Sequence, residues 1–424
     1  MRSASLLVAL ACMAAHAAQP AAAPSAPASS HPGAASQEPA NGWPHIAEAI
    51  ALLAQIESEA VNQLLDIHPD ATGPDYGTLA PHRPIDPDLI IAGEPEAARF
   101  VFADPRLANV IAALDRAAAS PSIKTDLLGT SASSSIRRLA RFVAARMRLA
   151  AAEGDWPAVE ASVHHLRALV RAASTDAPLI GWLVAAAVEA MALQHTHEVV
   201  ASAPEATLAR LRAIWEPSGW SPPIADAFGR ERTYSYEELT ESTFVRLNND
   251  QRAKREAALR LELDAMFDLL HELALLDGPA RRISPHAEAL QKLESDLGGS
   301  WKPEFRVIAE LPSALKYSIA TSDQQQVHRL GLRTRLALEL FKRRHGTYPP
   351  SLEALVPEFR DAVAPDAVSG KPLVYRLEPD GTFVLYSVGY DQTDDGGRFP
   401  KADHGHDALR SKGEGFDFPI WPQR

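Results

Sequence analysis

Cysteine is nearly missing from this chain of 424 residues: the single one, Cys12, lies inside the first apolar run. A chain that loses that run has no thiol, which excludes a disulfide framework and a cysteine nucleophile. Also lacking are Gly-x-Ser-x-Gly, His-Glu-x-x-His and a phosphate-cradling glycine loop, so no catalytic motif argues for an enzyme. Basic residues are in deficit, 42 Lys and Arg against 54 Asp and Glu, giving a formal net charge of −12. That balance argues against nucleic acid as a partner. Between Trp43 and Glu310 there is no strand signal. The most apolar stretch, Leu179 to Val188, is interrupted by Glu189, Gln194, His195 and His197 well short of membrane length, which predicts a buried core helix. With 46% hydrophobic residues the chain nevertheless has ample material for folded cores.

The N-terminus carries one basic residue, Arg2, then the apolar run Leu6 to Ala15 and the small-residue pattern Ala15-His16-Ala17. This predicts a cleaved secretory signal over residues 1–18 and a periplasmic or secreted mature protein. Leu10-Ala11-Cys12 also resembles a lipoprotein signal, in which Cys12 becomes a lipid anchor; only then does a membrane enter as a partner. The short apolar run before Cys12 favours plain cleavage. Residues 19–42 are rich in Ala, Pro and Ser, with too little apolar surface to offset ordering entropy, and read as a tether.

Residues 43–310 read as a helical domain. Ile46, Ile50, Leu53, Ile56 and Leu64 recur at helical spacing. The stretch 68–105 is dense in proline and glycine and reads as an irregular loop. Ser135 is placed to cap a helix through Ile136, Leu139, Val143 and Met147, ending near Gly154, and Pro157 sits just inside the next one. The phrase RMRLAAAEGDWPAVEASVHHLRALV resembles one helix-turn-helix unit of the tetratricopeptide type. Pro178 and Pro204 open two further helices, and Asp250 to Leu276 forms the clearest of all, stopped by Asp277-Gly278-Pro279. Arg230-Glu231-Arg232 reads as a helix start with ion pairs. His164-His165 and His195-x-His197 read as surface or partly buried histidines, because helix neighbours one or two apart do not share a face.

Residues 311–424 read as a small α+β domain. Val327 to His345 is helical by pattern, basic in its last turn, and ended by Gly346 and Pro349-Pro350. After the short helix SLEALV, Leu373, Tyr375 and Leu377 alternate, Pro379-Asp380-Gly381 supplies a hairpin turn, and Thr382 to Ser387 returns. Asp391, Asp394 and Asp395 follow, then Gly396-Gly397. This order of helix, Tyr-Pro stop, short helix, SGKPLVY, Asp-Gly turn, LYSVG and acidic glycine loop is similar to the periplasmic head of the major pseudopilin of type II secretion systems. The resemblance covers Leu332 to Gly397. It implies calcium as a cofactor of the terminal loop, with Asp391, Asp394 and Asp395 as ligands and the later Asp417 able to complete the shell. A pseudopilin starts with a processed apolar helix that packs into a filament. Here a signal, a tether and a helical body precede the head, so filament assembly is not implied.

Taken without the resemblance, Asp391, Thr393, Asp395 and Gly396 match the opening spacing of an EF-hand loop, but position twelve is Ala402 instead of Glu. The bland alternative is a solvated acidic loop. Asp403-His404-Gly405-His406-Asp407 offers transition-metal ligand types with no matching second cluster, which favours an exposed polar loop. The sequence therefore leads to a mainly α protein: a helical, tetratricopeptide-like body, then a pseudopilin-head-like α+β domain. Its expected role is non-catalytic, binding a protein partner in the envelope. The competing expectation is a periplasmic hydrolase with its site in the loop 68–105 or the cluster 403–407.

Overall fold

The computed structural model of the chain describes residues 41–67, 102–124, 130–175, 177–216, 220–243, 249–299, 311–398 and 417–421. The expected signal, nearly all of the expected tether and most of the proline-rich stretch lie outside these residues. Among the described residues there are eleven α-helices and one small sheet. In chain order the helices are α1 (Trp43–Ile67), α2 (Leu107–Ala119), α3 (Thr130–Glu153), α4 (Trp156–Ser174), α5 (Leu179–Val200) and α6 (Glu205–Trp215). Then come α7 (Ile224–Thr243), α8 (Asn249–Leu275), α9 (Gly278–Arg282), α10 (Pro285–Gly298) and α11 (Leu311–His345). The strands β1 (Val374–Leu377), β2 (Phe383–Ser387) and β3 (Phe418–Trp421) follow.

Helices α3 and α4 form an adjacent pair whose turn is set by two residues. Gly154 takes a left-handed φ of 76°, and the Asp155 side chain accepts the Ala158 N–H at 3.1 Å, capping α4. Helix α3 begins at Thr130, upstream of the expected cap at Ser135, because neither proline nor glycine interrupts Thr130 to Ser134. Helix α5 is long and apolar enough to cross a membrane, but 67% of its most apolar window is buried inside the protein. It packs against α3, α4 and α11. Its near-zero amphipathy follows: a helix covered on most sides needs no polar face.

The N-terminus of α5 is capped from a distance. Glu231 accepts the Leu179 N–H at 2.8 Å, and Arg230 Nε donates to the Ala177 carbonyl at 2.7 Å. Arg232 pairs with Asp268 of α8. The Arg-Glu-Arg triplet thus lies in the middle of α7, where it clamps two other helices, and is not a helix start.

Helix α11 has 35 residues, roughly 50 Å of continuous helix. Its first turns place Leu315 and Ile319 in a core with Trp182, Phe228, Met266 and Phe267. Its later turns place Leu332, Leu336 and Leu340 in a second apolar cluster, which extends from Ile46 of α1 to Ile420 of β3. The apolar interior is therefore continuous between the helical body and the C-terminal residues. The expected division at 310/311 falls at the edge of residues 300–310, which lie outside the description.

The hairpin forms at the expected turn, with Val374 opposite Tyr386 and Leu377 opposite Phe383. Its turn closes through Glu378 N–H to Thr382 O at 2.8 Å, with Gly381 at φ 79°. Strand β3, for which the sequence offered no signal, pairs antiparallel with β2 across an irregularity at Leu385/Tyr386. It lies against α11 because Gly331 has no side chain: a Cβ there would stand 2.3 Å from Ile420 Cγ2. The α8–α9 corner docks just as closely on the loop before β1. Gly278 N–H bonds Ala367 O at 2.7 Å, and a Cβ at Gly278 would lie 2.4 Å from Val368 O.

Candidate functional site

The acidic loop leaves β2 through Tyr390 and meets β3 at Asp417, so the sheet brings its two ends together. Tyr390 stacks edge-on against Phe418, ring centroids 5.8 Å apart, and its hydroxyl donates to Asp323 of α11 at 3.2 Å. Asp323 is buried and also pairs with Arg281 of α9. Burial raises its carboxyl above the usual range, and Arg281 opposes the shift. Lys371 Nζ donates to Gln392 O at 2.9 Å, and Gln392 Nε2 to Ser369 O at 3.0 Å. The loop is thus anchored on the turn before β1 as well as on α11.

Within the loop the four expected ligands behave differently. Asp391 Oδ1 accepts its own turn's Thr393 N–H at 3.0 Å. Asp394 Oδ1 accepts the Tyr386 hydroxyl and the Gly396 N–H, both at 2.9 Å. Asp417 is 1% exposed; it accepts the Gly397 N–H at 2.8 Å and the Asp395 N–H at 3.4 Å. Those amides can turn inward because Gly396 and Gly397 hold φ of 72° and 81°. Asp395 Oδ2 is buried with no hydrogen-bond partner. The Asp417 carboxyl is raised first by burial, against its two backbone donors, with Asp394 and Asp395 adding repulsion. Asp394, Asp395 and Asp417 are therefore brought into mutual electrostatic reach, while Asp391 closes its own turn. Among the described residues no group of three or more His, Cys, Asp or Glu side chains is arranged to hold a metal ion. Both His404 and His406 lie outside the described residues, as does the loop 68–101.

Of the histidines expected to be at the surface or partly buried, His164 is exposed and the others are fully inside. His165, His195 and His197 are buried, because α4 and α5 are covered on nearly every side. His165 Nε2 meets Asp115 Oδ1 at 2.7 Å, and His195 Nδ1 meets Glu198 at 2.9 Å. Arg335 of α11, fully buried, donates to His197 O at 2.5 Å and lies 3.2 Å from His197 Nδ1. A guanidinium only donates, so Nδ1 must be unprotonated to accept. Burial, then Arg335 and His328, holds His197 well below its ordinary value. Burial likewise lowers His328 to about 4.

His165, His197 and His328, each lowered first by burial, give the fold an acid sensitivity of defined sign. A histidine kept neutral in the fold but free to protonate when unfolded weakens the fold as pH falls below about 6.5, by on the order of 1.4 kcal/mol per pH unit per group. For His328 the loss accumulates to about 3 kcal/mol by about pH 4. Glu189 and Asp323, raised by burial, act in the opposite sense. Urea midpoints should therefore fall between about pH 7.5 and pH 5.5, and His197→Gln, whose amide oxygen still accepts from Arg335, should flatten the slope by about one proton. A midpoint that is constant over this range would contradict the neutral assignment.

The residues that tie the loop to the body, Asp323, Arg281 and Tyr390, carry no sequence signal of their own. Only Tyr390, directly before Asp391, lay beside a residue singled out by pattern. No protein family, curated protein or solved structure matches this chain.

Proposed function

We propose that this chain is a non-catalytic, exported envelope protein whose helical body binds a protein partner and whose C-terminal loop takes one calcium ion, as in the pseudopilin head it resembles. The observation that carries the calcium reading is Asp395 Oδ2, a buried carboxylate oxygen without a donor, in a loop where Asp394 and Asp395 also repel Asp417. Calcium prefers six to eight oxygen ligands. Asp394, Asp395 and Asp417, with loop carbonyls and water, are the groups that would supply them, and Asp391 would join by releasing its turn. The ion would neutralise the repulsion and fasten β3 to the end of β2. The amides now facing Asp417 use one lone pair of each oxygen, leaving the others available to a cation.

The test is thermal unfolding of the purified protein in calcium and in chelator. Free calcium at about 100 times the dissociation constant should stabilise the fold by about 2.7 kcal/mol, visible as a raised Tm. Asp395→Asn should abolish that gain while leaving the chelated protein at least as stable as before, since it removes a carboxylate that repels Asp417. Equal melting temperatures in calcium and chelator would leave the loop as a hydrogen-bonded acidic turn without a metal.

A further inference from the structure

Helix α5 leaves one stripe uncovered, and that stripe is apolar. Ile180, Leu183, Ala187, Ala190 and Met191 recur at helical spacing as its exposed or half-buried positions, with Ile180 39% exposed. Over those roughly three turns α5 points no charged or polar side chain outward; Gln194 and Glu198 are the next exposed residues. A helix that faces water ordinarily carries polar residues on its outer side. Helix α3 runs alongside in the same direction. At its start Ser133 and Ile136 line a small hollow with Ile180 and Val184, and at its end Arg148 Nε reaches Glu198 at 3.5 Å. Residues 133, 137, 141 and 148 share one face of α3 by helical spacing, so Arg137 and Arg141, both exposed, stand in the row that borders the stripe. From Ser133 to Arg148 α3 holds five arginines and no acid, in a chain whose formal net charge is −12.

Apolar residues at i, i+3, i+7, i+10 and i+11 beside a row of cations make the floor and one bank of a groove for an amphipathic helix. The middle of the floor is Ala187 and Ala190, small enough for a second helix axis to come close and for its larger side chains to settle between Leu183 and Met191. A lipid surface is entered instead by protruding bulky side chains. A second copy docked antiparallel about a two-fold axis would set its arginine row against this one. The sign of the row calls for carboxylates on the partner. We infer that the α3–α5 face docks an amphipathic helix of a partner protein, with the apolar side of that helix on the α5 stripe and its acidic flank along Arg137 and Arg141. The α3–α5 site presupposes that the helical body binds protein and owes nothing to the calcium site.

The probe is a synthetic, fluorescently labelled helix of about five turns, with leucines along one side and glutamates along one flank, titrated with the purified protein. Two companion peptides replace the glutamates by lysines or the leucines by serines, and vesicles of phosphatidylglycerol and phosphatidylcholine stand in for a membrane. The glutamate peptide should bind, more weakly as salt rises, and both companions should bind at least about tenfold more weakly. Ala187→Glu places a charge in the middle of the stripe and should abolish binding; at an exposed position it should leave the Tm close to that of the wild type. Arg137→Glu combined with Arg141→Glu should weaken the glutamate peptide about tenfold and strengthen the lysine peptide, a reversal that loss of folding does not produce. Glutamate-peptide binding that both variants keep in full would show that the body takes the helix elsewhere, which overturns this face and not the protein-binding reading of the body. The face is also overturned if the glutamate peptide does not bind, if the lysine peptide binds equally well, if the vesicles bind and the peptide does not, or if the chain sediments as a dimer that Ala187→Glu dissociates.

Discussion

Asp366→Ala is expected to lower stability by about 4 kcal/mol, read from the urea midpoint. Asp366 is 2% exposed and accepts four hydrogen bonds. Its Oδ1 takes the N–H groups of Val368 at 2.8 Å and Ser369 at 2.7 Å. Its Oδ2 takes the hydroxyls of Ser369 at 2.6 Å and Ser387 at 2.9 Å. Alanine leaves all four donors without this acceptor in a dry site, and an unsatisfied buried group weakens the fold by about 1–3 kcal/mol. The damage should also spread, since the same turn presents Ala367 O to Gly278 and Val368 O to Arg282. Asp366→Asn keeps an oxygen for the two amides, and hydroxyls can rotate to accept from its NH₂, so it should cost about half as much. A loss below about 1 kcal/mol for the alanine variant would mean that these donors find other partners.

Glu189→Ala should cost about 3–5 kcal/mol, for a different reason. Glu189 is fully buried in α5; Ser221 donates to its Oε2 at 2.7 Å, and Arg329 Nε of α11 lies 3.0 Å from Oε1. Burial raises its carboxyl, and Arg329 and Ser221 pull it back. Removing the acid strands Arg329 between helices and opens a cavity. Replacing both, Glu189→Leu with Arg329→Met, should be close to neutral, because well-packed apolar side chains can match a buried ion pair. A double-mutant cycle measures the coupling directly. The pair contributes nothing to joining α5 and α11 if the single alanine variant unfolds at the wild-type urea midpoint.

Much of the local structure was legible because it depends on near neighbours in the chain. Gly154-Asp155 ends one helix and caps the next, Gly346 at φ 79° ends α11, and Asp380-Gly381 closes the hairpin; each is a backbone preference that a few residues decide. The apolar stripes of α4 and α8 were legible by their period. In the acidic loop, sequence singled out the Asp residues and glycines, since clustered carboxylates beside turn-permitting residues stand out without a fold.

What only tertiary structure decided are pairings between residues far apart in sequence, which have no period to betray them. Strand β3, Phe418–Trp421, is apolar throughout with a proline inside it, so it shows no alternation, and it lies on α11 because Gly331 lets Ile420 approach. The start of α11 was missed because its first turns face a different core from its last, so no single stripe runs along all 35 residues. Glu231 was misread because its partner, the Leu179 amide, belongs to another helix. Asp366 and Arg360 carried no sequence signal, and Glu189 showed only as a break in an apolar run, since charge is placed outside by default and only packing from other elements buries it. Period and turn chemistry thus set where helices and turns lie, whereas burial of charge, and with it every candidate site, depends on which faces the fold presses together.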